Sequence, residues 1–218
     1  LFLLLLVGLL AGWVDSIAGG GGLITIPALL LAGLPPATAL ATNKLQGSSG
    51  TLTAAIYFIR RGAVDLRAMR LMILMTLLGS IAGTWLVLHL QSELLIRVLP
   101  WLLIAVGLYF LLARGISDED RQRRLSAGGF ALVLAPLLGF YDGFFGPGTG
   151  SFFMLALVSL CGFGLSRATA QTKVLNFTSN IGSLGYFLVF GDIAWVVGLV
   201  MVLGQVIGAT LGSRLVQR

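Results

Sequence analysis

Apolar runs and short polar breaks alternate along the whole chain. The runs fall at about 1–18, 23–34, 37–59, 68–90 and 94–113, and resume at about 127–145, 151–163, 166–190 and 193–213. A helix needs about 20 apolar residues to cross the hydrocarbon core, so most of these runs predict transmembrane α-helices. Two of them, 23–34 and 151–163, are too short to cross unaided. Each follows a glycine-rich break, AGGGG at 18–22 and FGPGTG at 145–150. The pattern predicts an all-α polytopic bundle in which each half carries a discontinuous or re-entrant helix pair.

Composition sharpens this picture. Of 218 residues, 57% are hydrophobic and only 10% charged, with a mean hydropathy of +1.00. A soluble domain carries about 25% charged residues, so one membrane domain, 1–218, is expected. The net charge of +6 does not point to nucleic acid, because the arginines sit beside apolar runs where orientation signals belong. The lone Cys161 excludes an intrachain disulfide and builds no metal site by itself, and no cofactor is expected. The chain starts at Leu1 inside an apolar run, without a signal-peptide cleavage site before a hydrophilic region. It is read as starting in a structural helix, with a trimmed start.

The two halves are related. Gly12, Asp15, Gly19 and Gly21 match Gly139, Asp142, Gly146 and Gly148 at an offset of 127 positions. Gly33, Ala41, Lys44, Tyr57, Phe58 and Gly62 match Gly162, Ala170, Lys173, Tyr186, Phe187 and Gly191 at an offset of 129. The expected organisation is a first repeat at 1–113, a linker at 114–126 and a second repeat at 127–218. Run 94–113 has no counterpart before Arg218, so a final helix is expected to be missing. Arg60, Arg61, Arg67 and Arg70 place the 59–68 connection in the cytoplasm, and Arg114, Arg121, Arg123 and Arg124 place the linker there too. The matching connection around Gly191 and Asp192 has no basic residue and is expected outside, with Arg214 inside. The repeats are therefore expected to be inverted.

Candidate chemistry lies in the charges away from helix ends: Asp15, Lys44, Asp142 and Lys173. Lys44 and Lys173 are the only lysines in the chain and occupy matching positions. An ionised group at the bilayer centre costs roughly 2.5–3.5 kcal/mol on insertion scales, so such groups face a partner or a polar cavity. Each lysine lies about eight residues into its run, roughly 12 Å deep, which is further than a snorkelling stem reaches. Amides and hydroxyls surround both, in TNKLQGSSGT and QTKVLNFTSN. Asn43, Lys44, Gly47 and Thr51 share one helical face, as do Lys173, Asn176 and Asn180. Such residues also glue helices together, but a lysine among hydrogen-bond donors is what a desolvated oxyanion requires. The glycine breaks add half-helix N-termini, whose N–H groups and partial positive charge favour anions.

The anion-contacting residues are therefore expected to be Lys44, Lys173, Asn43, Gln46, Thr172 and Asn176, with the backbone of Gly20, Gly21, Gly22, Gly148, Thr149 and Gly150. Asp15 and Asp142 would hold the breaks, pair with a lysine or carry protons. Paired interrupted segments in inverted halves point to a transporter site at the membrane midplane. No G-x-x-x-x-G-K-[ST] motif for ATP is present. The main expectation is a carrier for a small anion. An intramembrane aspartyl protease using Asp15 and Asp142 is a second reading, although the G-x-G-D context of such enzymes is absent. An anion channel with the same site is a third.

The strings GWVDSIAGGGGLITIPALLLAGLPPATALATNK and GFYDGFFGPGTGSFFMLALVSLCGFGLSRATAQTK, with the connection YFIRRGAVDLR, resemble the TauE/SafE family of sulfite exporters, also called the toluene-sulfonate uptake permease family. The resemblance runs over nearly the whole chain. It implies a multi-pass transporter of the bacterial inner membrane that handles sulfite, sulfonates or other sulfur-containing organic anions, and it implies one further helix at the end. The expected partners are the small anion and the lipid bilayer.

Overall fold

A helix that starts, stops and turns where its local chemistry dictates can be placed from a few residues. Asp65 accepts hydrogen bonds from Arg67 N at 2.9 Å and Ala68 N at 3.1 Å, which caps a helix at Leu66. Ser126 accepts one from Gly129 N at 3.0 Å and caps another at Ala127. Pro36 opens a third from its first position, where its missing N–H costs nothing. The computed structural model describes residues 1–18, 20–112 and 124–216. Gly19, the Arg214 side chain and all of the predicted linker except Arg124, Leu125 and Ser126 lie outside the described residues.

Among the described residues the chain forms nine helices and no strand. They are α1 (Phe2–Ala18), α2 (Gly22–Leu31), α3 (Pro36–Arg60), α4 (Leu66–His89), α5 (Ser92–Leu112), α6 (Ala127–Phe144), α7 (Thr149–Ser159), α8 (Leu165–Phe190) and α9 (Trp195–Val216). Helices α4, α5, α6 and α9 are long and apolar enough to cross a membrane. The chain is an all-α membrane bundle, as its apolar pattern predicts.

Two short helices end earlier than their apolar runs do. α2 stops at Leu31 and α7 at Ser159 because the chain turns at glycines in the left-handed region, Gly33 (φ +85°) and Gly162 (φ +68°). Within α6, Phe130–Leu134 widens into a π-turn just before Pro136. Proline lacks an N–H and clashes with the carbonyl four residues back, and a wider turn relieves both.

Packing follows one scheme twice. α1 lies along α9 and α4 along α6, while α3 and α8 cross at the centre. The two outer seams are built on glycine, and the approach is backbone to backbone. A Cβ on Gly12 would meet Gln205 O, and one on Gly139 would meet the equivalent Thr76 O. A Cβ on Gly208 would meet Leu9 O, and one on Gly79 would meet Pro136 O. These contacts advance in the same direction on both helices, so α1 runs parallel to α9 and α4 parallel to α6. Small residues allow this approach where lipid gives no hydrophobic drive between helices.

The hairpins enter from opposite ends. Leu29 of α2 packs near Leu4 and Val7 of α1, while Gly21 lies against Ala11 and Asp15. α2 therefore turns back along α1, which makes the pair re-entrant. α6 and α7 form the matching hairpin. One core at that hairpin's open end joins Phe130, Leu157 and Val158 to Ala55, Met69 and Ala168. A second core at the other end joins Ile26, Leu40 and Val87 to Leu95, Leu99 and Phe187. α3 and α8 thus run in opposite directions between the two cores. They span roughly 38 Å at 1.5 Å per residue, and the two hairpin tips point towards each other between them.

Candidate functional site

The tips touch. A Cβ on Gly22 would lie 3.2 Å from Pro147 Cα, so glycine at this position allows the two breaks to meet. Beside the contact, α3 and α8 cross where Gly47 faces Asn180, with 3.4 Å from a Cβ on Gly47 to Asn180 Oδ1. A small polar cavity of about 30 Å³ lies among these elements. A water needs some 10–15 Å³ of such space, so the volume matches roughly two waters.

Each lysine reaches across to the opposite half. Lys44 Nζ of α3 lies 2.9 Å from Asp142 Oδ1 of α6, and both side chains are 2% exposed. Apart from this ion pair, Lys44 Nζ has no hydrogen-bond acceptor, and Asp142 Oδ2 has no donor. Gly146 presses on the pair: a Cβ there would lie 2.9 Å from Lys44 Nζ and 3.2 Å from Asp142 Oδ1. Its φ of +102° also excludes an unstrained side chain. Lys173 Nζ of α8 instead donates to the backbone carbonyl of Asp15 in α1 at 3.0 Å. The Asp15 carboxylate turns to its own break and accepts from Gly21 N at 3.3 Å.

The surrounding polar groups are mostly held by one another. Asn43 is fixed by Thr25 Oγ1, which donates to its Oδ1 at 2.5 Å. Gln46 Nε2 donates to Gln205 Oε1 of α9 at 2.5 Å, and Gln46 Oε1 is left without a partner. Asn180 Nδ2 bonds both Asn176 O at 2.8 Å and Asn176 Oδ1 at 3.2 Å. At the second tip, Thr149 N and Oγ1 both bond Gly146 O, at 3.2 and 2.7 Å. Tyr141 O–H donates to Pro147 O at 2.6 Å and fixes the break from outside.

The structure brings together Asp15, Gly21, Gly22, Asn43, Lys44, Gln46, Asp142, Gly148, Gly150 and Asn176, all of which line the cavity. Lys173, Thr172, Gly20 and Thr149 do not line it. Lys173 is turned to Asp15 O. Thr172 is buried with its hydroxyl unpartnered. Two contributors escape the sequence pattern. Gln205 lines the cavity from a helix that otherwise reads as an apolar span, and its single amide in the 193–213 run is the available signal. Gly146 belongs to a recognised break, but its pressure on the ion pair follows only from the fold. No cluster of three metal-ligating side chains is present among the described residues.

The sulfite exporter TauE/SafE family profile matches residues 4–218. The chain belongs to the TauE/SafE family. It is 55% identical over 213 residues to the "Probable membrane transporter protein YfcA" of Escherichia coli K12, covering 98% of this chain and 79% of that protein. It is 52% identical over 216 residues to a "Probable membrane transporter protein" of Haemophilus influenzae, covering 99% and 85%. A Sinorhizobium relative, "Probable membrane transporter protein ORF9", is 52% identical over 211 residues. No solved structure matches the chain. This TauE/SafE protein is thus a multi-pass membrane transporter, not an enzyme. The protease reading also lacks chemical support: Asp15 and Asp142 both line the cavity, but a shared-proton dyad needs the two carboxylates bonded to each other. Here Asp142 is paired with Lys44 and Asp15 with a backbone amide.

Proposed function

We propose that this transporter is a secondary carrier for a small oxyanion of the sulfite and sulfonate class, bound where the two hairpin tips meet. The observation that carries this reading is the Lys44 ammonium at a cavity lined by the glycine backbone of both breaks. Lys44 supplies the charge. Asn43, Gln46 and Asn176 supply hydrogen-bonding groups, and Gly21, Gly22, Gly148 and Gly150 let the anion approach the backbone. Lys173 acts on the same site from behind Asp15, with Thr172 buried beside it in the sequence, so that the two opposed hairpins present one site to each side in turn. A cavity the size of two waters supports a carrier that closes on its cargo over a standing pore.

The purified protein is tested first by thermal stabilisation with a panel of anions: sulfite, thiosulfate, methanesulfonate and benzenesulfonate. A ligand at 100 times its Kd stabilises by about 2.7 kcal/mol, which raises Tm by roughly 5–10 °C for a chain of this size. In proteoliposomes, Lys44→Ala combined with Lys173→Ala is expected to abolish saturable counterflow of the binding anion. Intact flux in that variant removes the site.

A further inference from the structure

The charges at the hairpin tips balance before any cargo arrives. Lys44 has Asp142, and Lys173 stands against Asp15. Among the described residues, the other charged side chains of the packed elements lie towards helix ends, away from this cluster. Around Asp142, α4 contributes the hydroxyls of Thr76, Ser80 and Thr84, all buried. Its charged residues Arg67, Arg70 and His89 lie at its ends. α3 contributes Lys44. α8 contributes Lys173, which is turned to Asp15 O, and Arg167, which sits at its start over Phe163. α7 contributes no titratable group. Within α6, the Tyr141 hydroxyl is directed to Pro147 O.

A monoanion entering this neutral, buried cluster meets two obstacles. It adds an uncompensated charge in a medium where unpaired charges are costly, and the position it needs on Lys44 is held by Asp142 Oδ1 at 2.9 Å. One event removes both. A proton on Asp142 neutralises the carboxylate, frees the ammonium and restores the sum to zero once the anion binds. The atom to receive it is identifiable, because Asp142 Oδ2 is buried and has no hydrogen-bond partner. The strained glycine at 146 keeps this corner free of any side chain that would block the exchange.

We propose that Asp142 is an exchangeable counter-ion, replaced on Lys44 by the transported monoanion as Asp142 Oδ2 takes up one proton, so that anion and proton cross together without net charge. This rests on the anion-carrier reading above and assigns its coupling ion. The proton comes from the compartment that supplies the anion. It returns to water when the anion leaves and the carboxylate closes again on Lys44.

The test uses the purified full chain and a probe whose own charge is fixed between pH 5 and 8: methanesulfonate, benzenesulfonate or thiosulfate, taking the one that stabilises the protein most. For either sulfonate, uptake of one proton predicts that affinity tightens by about tenfold for each unit the pH falls; the divalent thiosulfate scales with the number of protons bound. Asp142→Asn, which keeps the shape and cannot ionise, is expected to bind with a flat pH profile. Asp192→Asn, at an exposed connection far from the tips, is expected to keep the full slope. If Asp142→Asn does not fold, the wild-type protein decides alone. In proteoliposomes containing a trapped pH dye, an inward gradient of the sulfonate is expected to acidify the lumen by one proton per anion, with no dependence on membrane potential. Anion binding with a flat wild-type slope, or anion flux without proton flux, overturns the exchange and leaves the carrier intact. Absence of binding by any anion at any pH overturns the carrier reading, and the exchange with it.

Discussion

Lys44 and Lys173 hold equivalent places in the two halves, yet they hold different atoms. Lys44 has the carboxylate of Asp142, and Lys173 has the backbone carbonyl of Asp15. The cause lies in the tips. In the second hairpin, Gly146 and Gly148 both take positive φ, at +102° and +80°, and the Asp142 carboxylate is left facing Lys44. In the first hairpin, Gly21 is right-handed with φ −53°, and its N–H draws in the Asp15 carboxylate. Related sequences at opposed sites therefore adopt two settings of one device. Alternating access, as proposed above, would exchange these settings between the two halves.

The sharpest way to break this contrast is at the glycines. Gly146→Val forces a branched side chain into positive φ and onto the ion pair. The expected loss is about 5 kcal/mol, combining left-handed strain with a broken buried pair, and is read as failure to recover folded protein in detergent. At the other tip, a Cβ on Gly20 meets only Leu23 Cδ1 at 3.9 Å. Gly20→Ala is expected to shift stability by no more than about 0.5 kcal/mol.

The aspartates come next. Asp142→Ala leaves a buried ammonium without a counter-charge and is expected to cost about 3–5 kcal/mol. Asp15→Ala removes a hydrogen bond to one amide and the charge that balances Lys173, which keeps only the backbone carbonyl of residue 15, and is expected to cost less, about 2–3 kcal/mol. Equal losses in thermal unfolding would show that the two clusters are equivalent after all.

The smallest effect concerns the amides. Gln46 of the first half pairs with Gln205 of the second, and Leu175 and Thr76 stand at the matching positions. Gln205→Thr alone strands the Gln46 amide and is expected to cost about 1–3 kcal/mol. Adding Gln46→Leu rebuilds the Leu175 and Thr76 combination and is expected to recover most of that loss, leaving the double variant within about 1 kcal/mol of wild type. A double-mutant cycle reads the coupling directly.

Much of this was legible before any coordinates. Apolar runs located the nine helices to within a few residues, because bilayer helices need length and apolarity, and both are local properties. The duplicated Lys and Asp pointed to the polar cavity, which Asp15, Lys44 and Asp142 line and Lys173 does not, since buried charge is rare enough to notice. Contact partners were not legible. An offset between repeats says that Asp15 resembles Asp142, but not that each meets the other half's lysine; that follows from how the halves interlock. Gln205 was hidden because one amide in an apolar span reads as packing glue. The early ends of α2 and α7 were hidden because a left-handed glycine ends a helix without ending its apolar run.

The glycine seams carry a mechanical consequence. Where two helices meet main chain on main chain, no layer of side chains is left to shear, and each pair behaves as one rod. α1 is fastened in this way to α9, and α6 to α4. Each hairpin is thus bolted to a member of the other half. Under the proposed alternating access, the bodies that rock would be hybrids that cut across the duplication, one holding α1 with α9 and the other α4 with α6.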